Sequence, residues 1–214
     1  VNDLAMVANL FDALSHTPCQ KFILLGSADQ YGSSAAPQHE TSRALPANIY
    51  SLGKSLTDTL SDYMARTTSL SLITLRPFSV YGPHQPSHMF LTQLLNSCFT
   101  GEPFHMSHGN QIRDFVYVED VCRAISCAVL NKEGSGIYNI GTGVGTRLWD
   151  LVQKVLELTD TNIEIHRGVY TRPGDPLELV ADITRSKRDL GWEPRISLEQ
   201  GLRKMIESYA NIVA

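Results

Sequence analysis

Short apolar runs that alternate with helix-patterned stretches constrain this chain more than any other feature. Phe22-Ile23-Leu24-Leu25 is continuous, brief and closed by Gly26-Ser27, as in a strand buried on both faces of a parallel sheet. A polar loop and Pro46 follow, then a helical stretch with Leu52, Leu56, Leu60 and Met64 on one side, then a second strand from Leu70 to Leu75. This is βαβ order and predicts an α/β fold. Ahead of it, Leu4, Val7, Ala8 and Phe11 keep helical spacing while Leu10 and Leu14 give the same helix a second apolar side, so both sides are expected to be covered.

Beyond Pro83 the pattern shifts. An amphipathic helix (Phe90, Leu91, Leu94, Leu95) precedes a strand at Phe115-Val116-Tyr117-Val118, a helix around Ala124 and Val129, and a strand at Ile137-Tyr138-Asn139-Ile140. Helices marked by Leu148, Leu151, Val152, Val155 and Leu156 and by Leu198, Leu202, Met205 and Tyr209 complete the chain. No clean linker separates the parts. The division expected is a main sheet domain of residues 1–83 and 113–145 with a smaller lobe of residues 84–112 and 146–214.

The 214 residues, 43% of them hydrophobic, suffice for one sizeable domain and a small lobe. No run approaches the roughly 18 apolar residues of a membrane span, and the N-terminus lacks a signal-peptide pattern. Cys19, Cys98, Cys122 and Cys127 have neither disulfide-framework nor zinc-ligand spacing. A reducing, cytoplasmic setting and no metal are expected. A net charge of −4 without a basic stripe argues against nucleic acid as partner.

The chemistry concentrates in Leu25-Gly26-Ser27-Ala28-Asp29-Gln30-Tyr31-Gly32 and Tyr50-Ser51-Leu52-Gly53-Lys54. Tyr50 and Lys54, four apart, share a helix face. A tyrosine titrates near 10, but a neighbouring ammonium favours the phenolate, which suits Tyr50 to exchange a proton with a sugar hydroxyl while a hydride moves to a nicotinamide. Ser27, at a strand end, would orient the same oxygen. Taken alone, Tyr-x-x-x-Lys is a chance pattern on many helices; the joint pattern is far more specific.

These segments resemble the Ser-Ser-Ala-x-x-Tyr-Gly strand end and the Tyr-x-x-x-Lys of the extended short-chain dehydrogenase/reductases, in particular their nucleotide-sugar epimerases and dehydratases. Arg76-Pro77-Phe78-Ser79-Val80-Tyr81-Gly82-Pro83 resembles that family's Arg-x-x-Asn-x-Tyr-Gly-Pro turn, and Arg113 to Asp120 its Arg-Asp-Phe-x-x-Val-x-Asp. Glu40 and Pro46, Tyr138-Asn139-Ile140-Gly141, Arg172-Pro173-Gly174-Asp175 and Leu190-Gly191-Trp192 match further landmarks in order.

The resemblance implies a Rossmann-type doubly wound parallel sheet with a substrate lobe. It implies NAD or NADP held in part by Ser27, Tyr50, Lys54, Pro77 and Phe78, and a nucleoside-diphosphate sugar held by Ser79, Arg113, Arg172 and Asp175. It further implies catalysis by Ser27, Tyr50 and Lys54 through transient oxidation at C4, and a homodimer formed through the first helix and the Tyr-bearing one. For Arg113 and Arg172 an ion pair, with Asp114 or Asp175, is the competing reading.

Two departures matter. Ser79 stands where many relatives carry asparagine, and the family's opening strand and glycine-rich turn do not precede Val1. At about 30 residues per βαβ unit, on the order of 90 residues of the fold are expected to be absent from the front. Gly141-Thr142-Gly143-Val144-Gly145 imitates a dinucleotide fingerprint but lacks its spacing, so a structural strand-to-helix turn is expected there. Asp29 aligns with a glutamate of the dehydratases; read by itself it is a solvated loop carboxylate, and its shorter reach favours epimerase or reductase chemistry. The alternatives are an NADPH-dependent reductase of a 4-keto-6-deoxy sugar nucleotide and a non-catalytic interaction module.

Overall fold

The computed structural model describes residues 2–68, 70–131, 134–170 and 174–213. In chain order its elements are α1 (Asn2–Ser15), β1 (Lys21–Leu25), a 3-10 turn (Ala28–Tyr31), α2 (Ile49–Thr68), β2 (Ser71–Pro77), β3 (Ser79–Tyr81), α3 (Phe90–Thr100), β4 (Phe104–Met106) and β5 (Ile112–Tyr117). There follow α4 (Val118–Leu130), β6 (Gly136–Ile140), β7 (Gly145–Arg147), α5 (Leu148–Thr159), β8 (Ile165–Arg167), β9 (Glu178–Leu179), α6 (Thr184–Leu190) and α7 (Leu198–Val213). No helix among the described residues is long and apolar enough to cross a membrane.

The organising sheet is parallel, in the order β1-β2-β6, with Leu24 opposite Thr74 and Leu75 opposite Tyr138. Its central strand β2 buries Leu72, Ile73 and Leu75, because α4 covers one face through Val121, Ala124 and Ala128 while α1 covers the other through Val7 and Phe11. Each of the leucine, isoleucine, valine and phenylalanine side chains contributes about 1.5–3 kcal/mol when fully removed from water.

Two sequence expectations change here. The run Phe22 to Leu25 is not buried on both faces in the described residues: Leu24 is buried but Leu25 is 45% exposed, and β1 is the edge of the described sheet. The apolar row of α2 is divided: Leu52 and Leu56 are exposed while Leu60 and Met64 pack partly buried against the core. The helix also seats Ser51, Thr57, Asp58, Ser61 and Ala65 against the sheet, where small side chains allow close approach and Arg76 neutralises Asp58. On the second apolar side of α1, Leu10 is exposed in the single chain.

The second core joins α3, α5 and α7 through Leu94, Leu95, Leu151, Val152, Leu202 and Met205, and it reaches Tyr81 and Tyr117 on β3 and β5. Helix α7 comes down directly on those tyrosines. A Cβ at Gly201 would meet the Tyr81 hydroxyl at 2.1 Å, and that hydroxyl donates to the Leu198 carbonyl at 3.2 Å. Residues after β8 also pack on the main sheet: Leu190 and Trp192 join its core, and β9 pairs with β5.

Strand β5 ties the halves together. It pairs in parallel with β3, setting Ser79 opposite Phe115, and antiparallel with β7, setting Arg113 opposite Thr146. The buried Asp114 between them accepts hydrogen bonds from Thr142 N and Oγ1, Gly143 N and Ala181 N. The glycine-rich turn at 141–145 is therefore strapped to a carboxylate and leads into β7 and α5, in accord with a structural turn. Burial raises the Asp114 pKa, and the hydrogen bonds from Thr142, Gly143 and Ala181 oppose that rise.

Candidate active site

A cavity of about 560 Å³ opens where β1 and β2 end, bounded on the far side by β5 and the segment before β9. The carboxyl ends of parallel strands are where open α/β sheets bind ligands, and this volume lies in the usual range for a small-molecule site.

Ser27 is the first residue after the Gly26 that ends β1. Its hydroxyl oxygen accepts the Asp29 N–H at 3.2 Å and so opens the 3-10 turn, with backbone φ −156° and ψ 142°. Among the described residues that hydroxyl has no acceptor of its own, and Ser27 lines the cavity. The turn closes at Gly32 (φ 54°), where a Cβ would lie 1.8 Å from the Leu45 carbonyl oxygen; glycine is required there.

Tyr50 stands in the first turn of α2, 53% exposed, with the cavity beside it. Its place is fixed by a reciprocal cap: Asn48 Oδ1 accepts Ser51 N–H at 2.9 Å, and Ser51 Oγ accepts Asn48 N–H at 3.1 Å. Each cap satisfies backbone donors that the helix start leaves unpaired. Lys54, one turn later, sets its Nζ 5.9 Å from the centre of the Tyr50 ring and 3.1 Å from Asp3 Oδ2 on α1. Lys54 does not line the cavity itself.

Pro77, Phe78 and Ser79 form a second wall. Arg113 and Asp175, which also line the cavity, meet through Nη2 and Oδ1 at 2.6 Å, so of the two ion-pair partners expected for Arg113 it is Asp175 that it takes. Arg172 lies outside the described residues. Asp29 is exposed at the cavity wall. Partial dehydration there raises its pKa, Arg113 opposes the rise and Asp175 adds to it. The charges acting on Asp29 are thus those of the Arg113–Asp175 pair.

Ser27, Asp29, Tyr50, Pro77, Phe78, Ser79, Arg113 and Asp175 all line this one cavity, although they come from segments up to 148 positions apart in sequence (175 − 27). Asn48, Gln85, His88, Gln111 and Tyr170 also line it and were not singled out from the sequence. Of these, Gln111 carried a signal: it lies two positions before Arg113 and donates to Asp175 Oδ2 at 3.3 Å. Other landmark residues turn away from the cavity. Tyr31, Glu40 and Asn139 are buried in a polar network in which the Tyr31 hydroxyl donates to Asn139 Oδ1 at 2.7 Å and Glu40 Oε1 accepts Asn139 N–H at 2.9 Å.

The comparisons with known proteins agree with this geometry. The chain is 29% identical over 196 residues to a trifunctional UDP-glucose 4,6-dehydratase/UDP-4-keto-6-deoxy-D-glucose 3,5-epimerase/UDP-4-keto-L-rhamnose-reductase of Arabidopsis thaliana, a match covering 89% of this chain and 29% of that protein. Among solved structures, MoeE5 in complex with UDP-glucose and NAD superposes with a TM-score of 0.93 at 30% identity, over 99% of this chain and 72% of that one. UDP-glucose 4-epimerase of Thermotoga maritima with UDP-glucose does so with a TM-score of 0.93 at 30% identity, over 99% and 70%. Residues 1–141 match the model of the NAD dependent epimerase/dehydratase family, the stretch that holds the strand-end serine, the Tyr-x-x-x-Lys helix and the arginine of β5. By its motifs, its fold and its relatives, the chain belongs to that family.

Proposed function

We propose that the whole protein is an NAD(P)-dependent nucleotide-sugar enzyme that works through transient oxidation at C4 of a nucleoside-diphosphate sugar, as an epimerase in the first instance. The observation that carries this reading is the convergence of Ser27, Tyr50, Arg113 and Asp175 on one cavity of about 560 Å³. A hydroxyl and a phenol suit a reacting sugar carbon, and a guanidinium in the same cavity suits a diphosphate.

In this reading Tyr50 takes the proton of the C4 hydroxyl and later returns it, with the Lys54 ammonium 5.9 Å from the centre of its ring. Ser27 donates to the same sugar oxygen and fixes its direction. Arg113 exchanges Asp175 for phosphate oxygens. The phenol, the hydroxyl and the apolar wall of Pro77 and Phe78 fit the nicotinamide end of NAD, which when bound accepts the C4 hydride and gives it back. Residues 1–83 and 113–145 would thus supply the Ser/Tyr/Lys group, and residues 84–112 and 146–214 the lobe closing over the nucleotide sugar.

Asp29, one methylene shorter than the glutamate it resembles in the dehydratases, supports epimerisation over dehydration through its shorter reach into the cavity that it lines. Incubating the full-length protein with UDP-glucose and NAD and resolving the products by mass and NMR tests this. A C4 epimer of unchanged mass is expected; a product lighter by one water, or steady NADPH consumption with a 4-keto sugar, would replace epimerisation by the dehydratase or the reductase. We further propose a homodimer through the outer faces of α1 and α2, where Met6, Leu10, Leu52, Leu56 and Tyr63 are exposed, and a cytoplasmic setting in keeping with four free cysteines. A monomer in sedimentation at micromolar concentration would refute the dimer.

A further inference from the structure

Arg76, near the end of β2, is buried beneath the cavity and does not line it, yet its hydrogen bonds reach both segments that carry Ser27 and Tyr50. Nε and Nη2 donate to Asp58 Oδ2 at 3.1 and 3.0 Å, and Nη1 donates to the Tyr31 hydroxyl at 2.9 Å. Asp58 lies on α2 eight residues beyond Tyr50; Tyr31 closes the 3-10 turn that Ser27 opens. The Tyr31 hydroxyl passes its own hydrogen to Asn139 on β6, so the turn is anchored on the far strand as well. Gly26 completes the fit. A Cβ there would stand 3.1 Å from Asp58 Oδ1, so the close seating of α2 against the end of β1 relies on residue 26 having no side chain.

Arg76 and Asp58 are both less than 10% exposed. Charges so buried cost several kcal/mol each unless paired and hydrogen-bonded, and an apolar replacement of the whole pair is often neutral for stability. What a planar, multiply bonded guanidinium adds is direction: its fork holds two groups at one fixed separation. We infer that Arg76 is the positioning residue of this site, holding Asp58 and Tyr31 on one guanidinium and thereby setting the separation of the Tyr50 phenol from the Ser27 hydroxyl. The inference rests on the reading of Ser27 and Tyr50 given under Proposed function. It matters because misplacing a reacting group by 1 Å costs about 100-fold in rate.

The test uses the full-length protein with NAD and the nucleotide sugar it turns over, below the thermal transition of every variant and with rates counted per folded protein. Asp58→Asn and Tyr31→Phe are each expected to lower kcat by about 10- to 100-fold while leaving KM within about twofold, because Arg113 and Asp175 sit on separate elements. Asp58→Glu, which keeps the ion pair, should recover most of the kcat that Asp58→Asn loses. The double variant should lose less than the product of the single losses, since both act through the same guanidinium. An unchanged kcat with only a lower melting temperature would show a merely structural role and overturn the inference, as would a raised KM at constant kcat. Amide exchange gives an arm free of activity: Asp58→Asn should speed exchange in residues 27–31 and 49–54 together and leave α5 unchanged. If the wild type turns over no nucleotide sugar, the functional reading fails and exchange alone decides; faster exchange in only one of the two segments, or in neither, overturns the inference. Should Asp58→Asn not fold, Tyr31→Phe and Asp58→Glu carry both arms.

Discussion

Arg113 Nη2 lies 2.6 Å from Asp175 Oδ1, and both residues line the cavity that Tyr50 also lines. Both side chains are largely shielded, at 12% and 26% exposure, so the ion pair holds the guanidinium in place until an anion competes for it. Arg113→Ala should therefore weaken binding of UDP by about 10- to 100-fold, the worth of one or two charge-assisted hydrogen bonds. Saturated turnover should change much less. Titration calorimetry with UDP checks this, and an unchanged affinity would assign Arg113 to the ion pair alone.

Tyr50→Phe removes one oxygen and keeps a ring in a half-exposed position at the start of α2. Turnover should fall about 10²- to 10⁴-fold, the usual contribution of a general acid/base group. Nucleotide-sugar affinity should stay within about threefold of wild type, because a ring that only packs is conserved. Steady-state kinetics alongside calorimetry separate the two quantities, and near-normal turnover would remove Tyr50 from the chemistry.

Asp29 gains its raised pKa first from dehydration, with Asp175 acting in the same direction and Arg113 against it. It keeps its proton to higher pH than an ordinary aspartate, so an acid role would appear as a rate that falls as pH rises through that raised value. In an epimerase Asp29→Asn should leave the rate within about threefold and the pH profile unchanged near that limb. Loss of a dehydrated product in Asp29→Asn, with C4 oxidation still visible as bound NADH, would instead assign dehydration.

Asp182 accepts the Thr184 N–H at 2.8 Å at the start of α6, and that bond is the first cause of its lowered pKa. A carboxylate here satisfies a donor that the helix start leaves unpaired. Asp182→Ala should cost about 1 kcal/mol of stability at neutral pH. Since the folded pKa is below the unfolded value, the contribution is fully present above roughly pH 4 and is lost as pH falls through the folded value. Denaturant melts of both proteins should converge at low pH, and a difference that persists there would exclude the carboxylate as its source.

Much of this protein was legible in its residues. The βαβ order followed from periodicity because apolar runs and helical stripes are local consequences of which face is buried, and Ser27, Tyr50 and Lys54 stood out because their spacing has a chemical logic. The sequence also marked the 141–145 glycines as a turn, since their spacing does not fit a pyrophosphate. Other features are long-range and had no local signal. The polar part of the buried side of α2 escaped the apolar pattern because it is set by Asp58 meeting Arg76, 18 positions away. The exposure of Leu25 depends on what packs over that face of β1, which is a long-range matter. Asp175 as the partner of Arg113, 62 positions distant, emerged only when β5 placed Arg113 on the cavity and turned Asp114 inward to the glycine turn. Residue types fixed which chemistry was available; tertiary packing decided which charges face the cavity and which are spent holding its walls in place.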